Sequence, residues 1–285
     1  MTTHSRTIPL GAATITVINV GDLVFRLSEV LNVPESEWRP RYAAEFEKPL
    51  SFPSQSMHIA LPGASILVDA GDYAVAVSLN TPYVPPDYSP PPGLIDQLRE
   101  RNISPQDITH VVITHLHFDH YSGVTIERNG QYAPAFPNAR CFVGRADWED
   151  LETQEALKDP DSLESRTIGV LHSAGVLELV EGNVDLLPAV RLLTAPGESP
   201  GHQIVRVHSE GQTLYCLGDL YHDPLEVEHP TWMARWADVN TALASRRRLV
   251  EFALAEDALL VPAHMSPGRL ERTADGVRWR SEVYE

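Results

Sequence analysis

The chain has 285 residues, of which 43% are hydrophobic and 21% are charged, a balance typical of a globular protein with a buried core. The formal net charge of −17 argues against nucleic-acid binding, because an acidic surface repels phosphate. No apolar stretch reaches the roughly 18 residues that a membrane-spanning helix needs. The N-terminus shows no signal-peptide pattern and the chain has only two cysteines, so we expect a cytoplasmic protein with reduced thiols.

The first half of the chain alternates strand patterns with irregular segments. We expect Gly21-Asp22 to form a turn, residues 32–56 to be irregular because prolines interrupt them, and residues 81–93 to form a stiff proline-rich surface loop. The regular elements predicted here are a strand over 14–20, a hairpin over 57–69, a helix over 94–101 and a buried strand over 108–114.

The second half mixes helices with further strands. Strands are predicted over 140–143, 191–194, 204–208, 213–217 and 258–261, and helices over 147–157, 163–174 and 241–255. The only basic run, Arg246-Arg247-Arg248, falls within the last helix rather than in a surface patch. Because the chain has no internal repeat and its strands precede a mixed region, we predict one domain of layered sheets with outer helices.

A cluster of histidines and an aspartate follows directly on the buried strand over 108–114. His115 and His117 are two residues apart in an extended segment, so their side chains point the same way and can reach one ion. Asp119 and His120 come next, where the chain turns, and can reach a second position beside the first. Imidazole and carboxylate without thiolate suit zinc, with manganese, iron or cobalt as alternatives.

Three more candidates lie just past later apolar strands. His202, Asp219 and His264 each have this placement, which is also that of His115. Taken singly, each is as readily explained as an ordinary polar loop residue. Taken with the first cluster, they supply the remaining ligands for two ions.

This H-x-H-x-D-H string, with a histidine, an aspartate and a histidine downstream in that order, resembles the metallo-β-lactamase superfamily of hydrolases. The resemblance extends from Ser65 to about Trp279. It implies an α/β fold of the αββα sandwich type, with two mixed sheets, outer helices and the metals at one edge of the sheets. It also implies a single domain over 1–285, with 1–56 as an N-terminal extension.

The resemblance assigns roles to the candidate ligands. It implies His115, His117 and His202 at metal site one, Asp119, His120 and His264 at site two, and Asp219 as the bridge between them. Asp69 matches the family's aspartate that accepts a hydrogen bond from a ligand imidazole, although a turn residue is an equally good reading of it. The loop Gly197-Glu198-Ser199 departs from the commonest family form, and we expect it not to touch a ligand.

Within the superfamily, the chain is most similar to the quorum-quenching lactonases and the methyl parathion hydrolase-like group. The likeness rests on the stretch from Gly218 to Pro224, on His229-Pro230, on the helix from Arg246 to Glu256 and on the long N-terminal segment. His222 occupies the position at which these lactonases carry a tyrosine or histidine that donates to the substrate; the alternative is a surface loop histidine. Asp119 is expected to pass a proton to the leaving group.

The expected function is hydrolysis of an acyl-homoserine or aliphatic lactone by a hydroxide that bridges two divalent metals, with ester or phosphotriester side activity. The partner is then a small molecule rather than nucleic acid or membrane, and we expect a homodimer. The candidate walls of an apolar pocket for an acyl chain are Trp38, Phe46, Phe52 and Phe118, although core packing explains each of them when it is taken alone. The alternatives are a glyoxalase II-like thioesterase, disfavoured by the short segment after His264, and a mononuclear iron sulfur dioxygenase, disfavoured by the ligands for a second ion.

Overall fold

A computed structural model describes residues 4–78 and 88–282 of the chain. Two seven-stranded mixed sheets pack face to face, with helices on their outer faces, which confirms the predicted αββα sandwich. Part of the proline-rich segment predicted as a surface loop, residues 81–87, lies outside the described residues. None of the described helices is long and apolar enough to cross a membrane.

Sheet one has the strand order β1-β2-β3-β4-β5-β8-β9, in which β4, β5, β8 and β9 run parallel to one another. Its strands are β1 (Ser5–Leu10), β2 (Ala13–Phe25), β3 (Leu50–Leu61), β4 (Ala64–Val68), β5 (His110–Val112), β8 (Arg140–Gly144) and β9 (Leu177–Val180). The small hairpin β6 (Thr125–Arg128) and β7 (Gln131–Pro134) stands apart from it. Strands β1 and β2 belong to sheet one, so residues 5–25 contribute to the sandwich itself.

Sheet two follows chain order and is antiparallel except for one parallel pair, β13 with β14. Its strands are β10 (Val184–Leu187), β11 (Val190–Thr194), β12 (Gln203–Ser209), β13 (Gln212–Gly218), β14 (Leu259–Pro262), β15 (Gly268–Thr273) and β16 (Gly276–Ser281). The hairpin predicted over 57–69 is confirmed as β3 and β4 of sheet one. The strands predicted over 191–194, 204–208, 213–217 and 258–261 are confirmed as β11 to β14. Strands β9, β10 and β16 at the sheet edges, and β15 next to β16, carry weaker apolar patterns and were not predicted, because these strands are only partly buried.

The helices lie in the connections between strands. They are α1 (Leu27–Val30), α2 (Glu35–Glu47), α3 (Tyr73–Ser78), α4 (Leu94–Arg99), α5 (Phe118–Tyr121), α6 (Arg145–Trp148), α7 (Leu151–Ala156), α8 (Leu163–Arg166), α9 (Ile168–Ser173), α10 (Leu225–Glu228) and α11 (Val239–Ala255). The predicted helices over 147–157 and 163–174 are each two short helices. Asp150 caps α7 by accepting a hydrogen bond from the backbone of Glu152, and Thr167 has non-helical dihedrals between α8 and α9.

The prediction that residues 32–56 are irregular is wrong. Most of this segment is helix α2 and the start of β3. Pro34 precedes the first turn, where a missing N–H is tolerated, and Pro40 introduces a kink that leaves Tyr42 with non-helical dihedrals. The prolines therefore begin and bend the helix without preventing it.

The predicted turn at Gly21-Asp22 is also wrong, because β2 continues through both residues. The pairing with β3 shifts register between Asn19 and Gly21, which is a β-bulge. A Cβ at Gly21 would lie 2.0 Å from the ring of Tyr73, so a glycine is needed there for close packing. The glycine marks a bulge in a continuous strand rather than its end.

Candidate metal centre

The predicted ligands converge because they follow strands whose ends meet at one edge of the sandwich. His115 and His117 come after β5, and Asp119 and His120 lie in the short helix α5. Strands β13 and β14 run parallel, so the residues that follow them, Asp219 and His264, leave sheet two at the same edge. The rigid sheets thus fix the position of side chains carried by loops.

Four donor atoms form a first group, contributed by His115, His117, Glu198 and Asp219, and all lie within 4.8 Å of one another. Nε2 of His115 lies 2.8 Å from Nδ1 of His117. The same Nε2 atom lies 3.7 Å from Oδ2 of Asp219, and Nδ1 of His117 lies 3.5 Å from Oε1 of Glu198. These are two imidazoles and two carboxylates facing a common point.

Asp119, His120 and His264 form a second group of donors by the same criterion. Oδ2 of Asp119 lies 3.6 Å from Nε2 of His120 and 3.4 Å from Nε2 of His264. Asp219 adjoins this group as well, with Oδ1 3.3 Å from Nε2 of His120 and Oδ2 3.2 Å from Nε2 of His264. Asp219 therefore lies between the two groups, which is the arrangement that a bridging ligand requires.

His202 is the one predicted ligand that belongs to neither group. Its ring centre lies 5.1 Å from that of His115, and its Nε2 atom lies 3.2 Å from the backbone nitrogen of Asp219. Its Nδ1 atom lies 3.1 Å from the carbonyl oxygen of Ala195. His202 thus borders the first group, and its role as a ligand stays a prediction.

Hydrogen bonds behind the histidines orient their rings toward the centre. Oδ2 of Asp69 lies 3.0 Å from Nδ1 of His120, which is the contact expected of this aspartate. Asp69 also accepts hydrogen bonds from the backbone and hydroxyl groups of Thr114, at 2.7 and 2.9 Å. Nδ1 of His264 lies 2.9 Å from the carbonyl oxygen of Pro53. In each case the other ring nitrogen, Nε2, faces the centre and can bind a metal ion.

A close approach of backbone to this centre requires glycine at position 218. Gly218 has a φ of +52°, and a Cβ there would lie 2.7 Å from Oγ1 of Thr114 and 2.8 Å from Nε2 of His202. A side chain at this position would displace the groups that position the donors. The glycine therefore allows the end of β13 to carry Asp219 into the centre.

The residues fit a pair of cations. Among the described residues, the buried atoms with no hydrogen-bond partner include Nε2 of His120 and Oδ1 of Asp219, both of which face the centre. Leaving buried polar atoms unpaired costs free energy, and a metal ion would satisfy both atoms at once. Imidazole and carboxylate donors without thiolate are those that zinc and related divalent ions accept.

Burial and the carboxylates act in opposite directions on the pKa values of the histidines. Burial holds the pKa of His115 well below its ordinary value, and it lowers the pKa of His202 to about 3. Burial also lowers the pKa of His120 and His264, but Asp219 and its neighbours outweigh this effect, so the pKa of both is raised. Without metal, the protein thus stabilises positive charge at His120 and His264.

Metal removal is expected to lower the melting temperature, and the difference should narrow as the pH falls. Protons compete with metal for the ligand nitrogens, so acid weakens the metal-bound form. In metal-free protein the raised pKa of His120 and His264 means that their protonated forms stabilise the fold. That contribution is complete below the unfolded value of about 6.5 and is lost as the pH rises through the folded values. Both effects reduce the difference in melting temperature between the metal-bound and the metal-free protein as the pH falls from about 7 to about 5.

This expectation is checked by thermal melts of metal-replete and chelated protein over that pH range, with metal content measured on each sample. The difference in melting temperature between the two forms at one pH is the quantity to compare. A melting temperature that verified metal removal leaves unchanged at neutral pH would contradict the linkage between metal and fold.

Glu198 is the donor that sequence reasoning missed, and the expectation that its loop touches no ligand is wrong. The side chain is only 4% exposed and faces His117, a predicted ligand. Its Oε1 atom accepts a hydrogen bond from the indole N–H of Trp236, and burial raises its pKa to about 7. A carboxylate in the same short loop as the candidate ligand His202 was the available signal.

His222 lies at the centre rather than on the surface. It is 3% exposed, with Nε2 3.5 Å from Oδ2 of Asp219 and 3.8 Å from Oε1 of Glu198. On the other side of the ring, Nδ1 lies 3.5 Å from Oε2 of Glu226, which also accepts hydrogen bonds from the backbone of His222 and Asp223. The reading of His222 as a surface loop residue is therefore excluded.

A cavity of about 610 Å³ opens onto both donor groups. Its polar lining includes His117, Asp119, Asp219, His222 and His264, and its apolar lining includes Leu23, Phe25, Val30, Leu116, Phe118 and Trp236. Of the four candidate wall residues, Phe118 lines the cavity, whereas Trp38, Phe46 and Phe52 pack in a buried cluster behind Phe25 and Val30, which is the core packing given as their alternative. The apolar wall thus comes from β2, α1 and the residues around α5.

The sequence profile of the metallo-β-lactamase superfamily matches residues 52–264, and the chain belongs to this superfamily. An N-acyl homoserine lactonase from Bacillus cereus is 28% identical over 172 residues, which are 60% of this chain and 61% of the relative. One from Bacillus thuringiensis is 29% identical over 175 residues, with the same two shares. The match therefore spans about three-fifths of the length of these relatives.

Solved structures share the whole architecture. The hydrolase AbOPH of the β-lactamase superfamily aligns with a TM-score of 0.79 and 17% identity over 100% of this chain and 99% of its own. The dizinc quorum-quenching lactonase AidC, solved with a product, aligns with a TM-score of 0.76 and 20% identity over 99% and 98%. At these identities the likeness establishes the fold.

Proposed function

We propose that the protein is a dinuclear metal-dependent hydrolase that opens acyl-homoserine or aliphatic lactones, with ester or phosphotriester hydrolysis as a side activity. The observation that carries this proposal is the pair of donor groups that meet at Asp219 beside a cavity with apolar walls. The name that the Bacillus relatives carry, N-acyl homoserine lactonase, supports the substrate class.

The two ions would be held by the seven residues assigned above. Site one takes His115, His117 and His202, site two takes Asp119, His120 and His264, and Asp219 serves both. Zinc suits this set, and manganese, iron or cobalt are the alternatives. When bound, two such ions supply Lewis acidity toward a carbonyl oxygen and a hydroxide nucleophile near neutral pH.

The protein's own side chains complete the reaction. Asp119 lines the cavity as well as the second donor group, so its carboxylate can hold a proton and deliver it to the alkoxide that leaves when the ring opens. His222 lines the same cavity, and we assign its Nε2 atom to the carbonyl oxygen, where negative charge develops. The ring requires no covalent bond to the enzyme in this scheme.

The apolar half of the cavity would bind the acyl chain of the substrate. Leu23, Phe25, Val30 and Phe118 lie on that side, and burying each methylene of an acyl chain against such side chains contributes about 0.8 kcal/mol. A chain in contact with them would bring the lactone carbonyl toward the donor groups. We therefore place the preference at medium-chain acyl substrates.

The alternatives differ in what they need from the site. A glyoxalase II-like thioesterase would have to accept an anionic glutathione thioester, which the formal charge of −17 disfavours. A sulfur dioxygenase uses a single iron, whereas Asp119, His120 and His264 form a second group of donors here. The substrate comparison below tests the thioesterase, and the number of metal ions bound per chain tests the dioxygenase.

We expect kcat/KM for a medium-chain acyl-homoserine lactone to exceed that for S-lactoylglutathione by at least about tenfold, or about 1.4 kcal/mol in the barrier. The physical reason is that an apolar chain gains contacts with the cavity wall, whereas the acidic protein disfavours an anionic thioester that carries two carboxylates. Both substrates, and a phosphotriester, are measured on one metal-replete preparation. Equal or faster turnover of the glutathione thioester would replace the lactonase proposal with the thioesterase one.

The cytoplasmic location and the homodimer stay predictions from the sequence. Fractionation of cells tests the location. The mass of the purified protein in solution, measured by light scattering, tests the homodimer. Neither outcome changes the chemistry proposed for the site.

A further inference from the structure

The placement of Glu198 is fixed by the loop that carries it. Gly197 has a φ of +140°, and a Cβ there would lie 2.3 Å from the Cα atom of Ala242 in α11. The carbonyl oxygen of Gly197 accepts a hydrogen bond of 2.8 Å from the backbone of Asp238. On the other side, the hydroxyl of Ser199 donates to Oδ2 of Asp147 at 2.8 Å. The loop is thus anchored on both sides of Glu198.

The carboxylate itself points at the donors of the first group. Oε1 lies 3.5 Å from Nδ1 of His117 and within 4.8 Å of the donor atoms of His115 and Asp219. Two donors held about 2.1 Å from one ion lie roughly 3 to 4 Å apart when they are neighbours around it. The distance between Glu198 and His117 falls in that range. The indole N–H of Trp236 donates a hydrogen bond to the same oxygen.

We propose that Glu198 is a direct ligand of the metal ion in site one. This inference rests on the proposed function, because it presupposes metal ions at this centre. It adds a ligand outside the seven assigned above, in a loop that departs from the commonest form of the family. The ligand set of site one then includes two carboxylates, from Glu198 and Asp219.

A second carboxylate shifts the preference of the site toward metal ions that favour oxygen ligands. Oxygen ligands favour manganese, whereas imidazole ligands suit zinc and the later transition metals. The presence of Glu198 should therefore raise the affinity for Mn²⁺ more than the affinity for Zn²⁺. The ratio of these two affinities is a property of the ligand set that can be measured without turnover.

The test titrates metal-free protein with Mn²⁺ and, separately, with Zn²⁺ against a chromophoric chelator, and records the visible absorption of the Co²⁺ form. In Glu198→Gln we expect the affinity of one of the two sites for Mn²⁺ to fall by about tenfold or more. The affinity for Zn²⁺ should fall less, and the absorption spectrum of the Co²⁺ form should change. Glu198→Asp keeps the charge but withdraws the carboxylate by one methylene, so it should lose affinity as well. Melts of the metal-free variants verify folding.

Glu164→Gln is the matched control, since Glu164 lines the same cavity but accepts a hydrogen bond from the hydroxyl of Tyr121 and belongs to neither donor group. It should bind metal as the unmodified protein does. Unchanged affinities and an unchanged Co²⁺ spectrum in Glu198→Gln, or full affinity in Glu198→Asp, would overturn direct ligation. Failure of the unmodified protein to bind two ions would instead refute the dinuclear function.

Discussion

Replacing Glu226 by alanine is expected to destabilise the protein by about 3–5 kcal/mol, because it leaves the guanidinium of Arg246 buried without its counter-ion. Glu226 is 0% exposed and Arg246 is 3% exposed, and Nη2 of Arg246 donates to Oε1 of Glu226 at 2.5 Å. Arg246 also donates to the carbonyl oxygens of Leu220 and Trp232, at 2.9 and 2.5 Å. The pair therefore supports the whole loop that carries Asp219 and His222.

The pH dependence of this pair has a definite sign. Burial raises the pKa of Glu226, but Arg246 and His222 outweigh this effect and lower it to about 2. A carboxyl whose pKa is lowered on folding stabilises the fold above its unfolded value, here about 4.5, and loses that contribution as the pH falls through about 2. The full cost of Glu226→Ala should thus appear at neutral pH and shrink in acid.

Denaturant unfolding of both proteins at several pH values measures this cost. Glu35→Ala is the matched control, because Glu35 pairs with Arg39 on the surface, where the two side chains are 65% and 54% exposed. An exposed pair of this kind contributes about 0–1 kcal/mol. A loss of less than about 1 kcal/mol in Glu226→Ala would mean that Arg246 finds other partners or water, and that the pair does not support the loop.

His222→Ala is expected to lower kcat by about 10²–10³ while leaving the metal content unchanged, since the loss of one donor to a developing oxyanion has effects of this size. His222 lines the cavity beside Asp219 but is not among the grouped donor atoms. Its two ring nitrogens are buried without hydrogen-bond partners among the described residues. A substrate oxygen could approach Nε2 more closely than the carboxylates of Asp219 and Glu198, which lie 3.5 and 3.8 Å from it.

A structural role for His222 is separated from a catalytic one by the conservative variant. His222→Gln retains an N–H donor and should recover part of kcat. If His222 were needed only for packing, its replacement by alanine would instead lower the free energy of unfolding. His172→Ala is the control, because His172 is an exposed histidine that stacks on Trp148. An unchanged kcat in His222→Ala would remove His222 from the mechanism.

The elements with a strong local pattern agree between sequence and structure. The hairpin β3-β4 and the long helix α11 were predictable because alternating or helical periodicity and turn residues specify them locally. Helix α2 was not, since its prolines are compatible with a helix only where the N–H group is dispensable or a kink is accommodated. Gly21 likewise requires knowledge of Tyr73, which packs against it from a distant part of the chain.

The role of Arg246 shows the same limit at the level of single residues. In sequence it is one of three consecutive arginines on a helix, and nothing distinguishes it from Arg247 or Arg248. In the structure it is buried and paired with Glu226, whereas its two neighbours are exposed. The direction in which each arginine points follows from how α11 packs on sheet two, which is a tertiary contact.

The type of chemistry expected at the centre could be predicted from the sequence alone. Imidazole and carboxylate groups at the ends of apolar strands predict a metal site, because residue type and strand position are local properties. Three features are evident only in the folded protein: Glu198 joins the first donor group, His202 lies beside that group, and Phe25 rather than Trp38 lines the cavity. These are contacts between loops far apart in the chain, and the packing of the two sheets sets their distances.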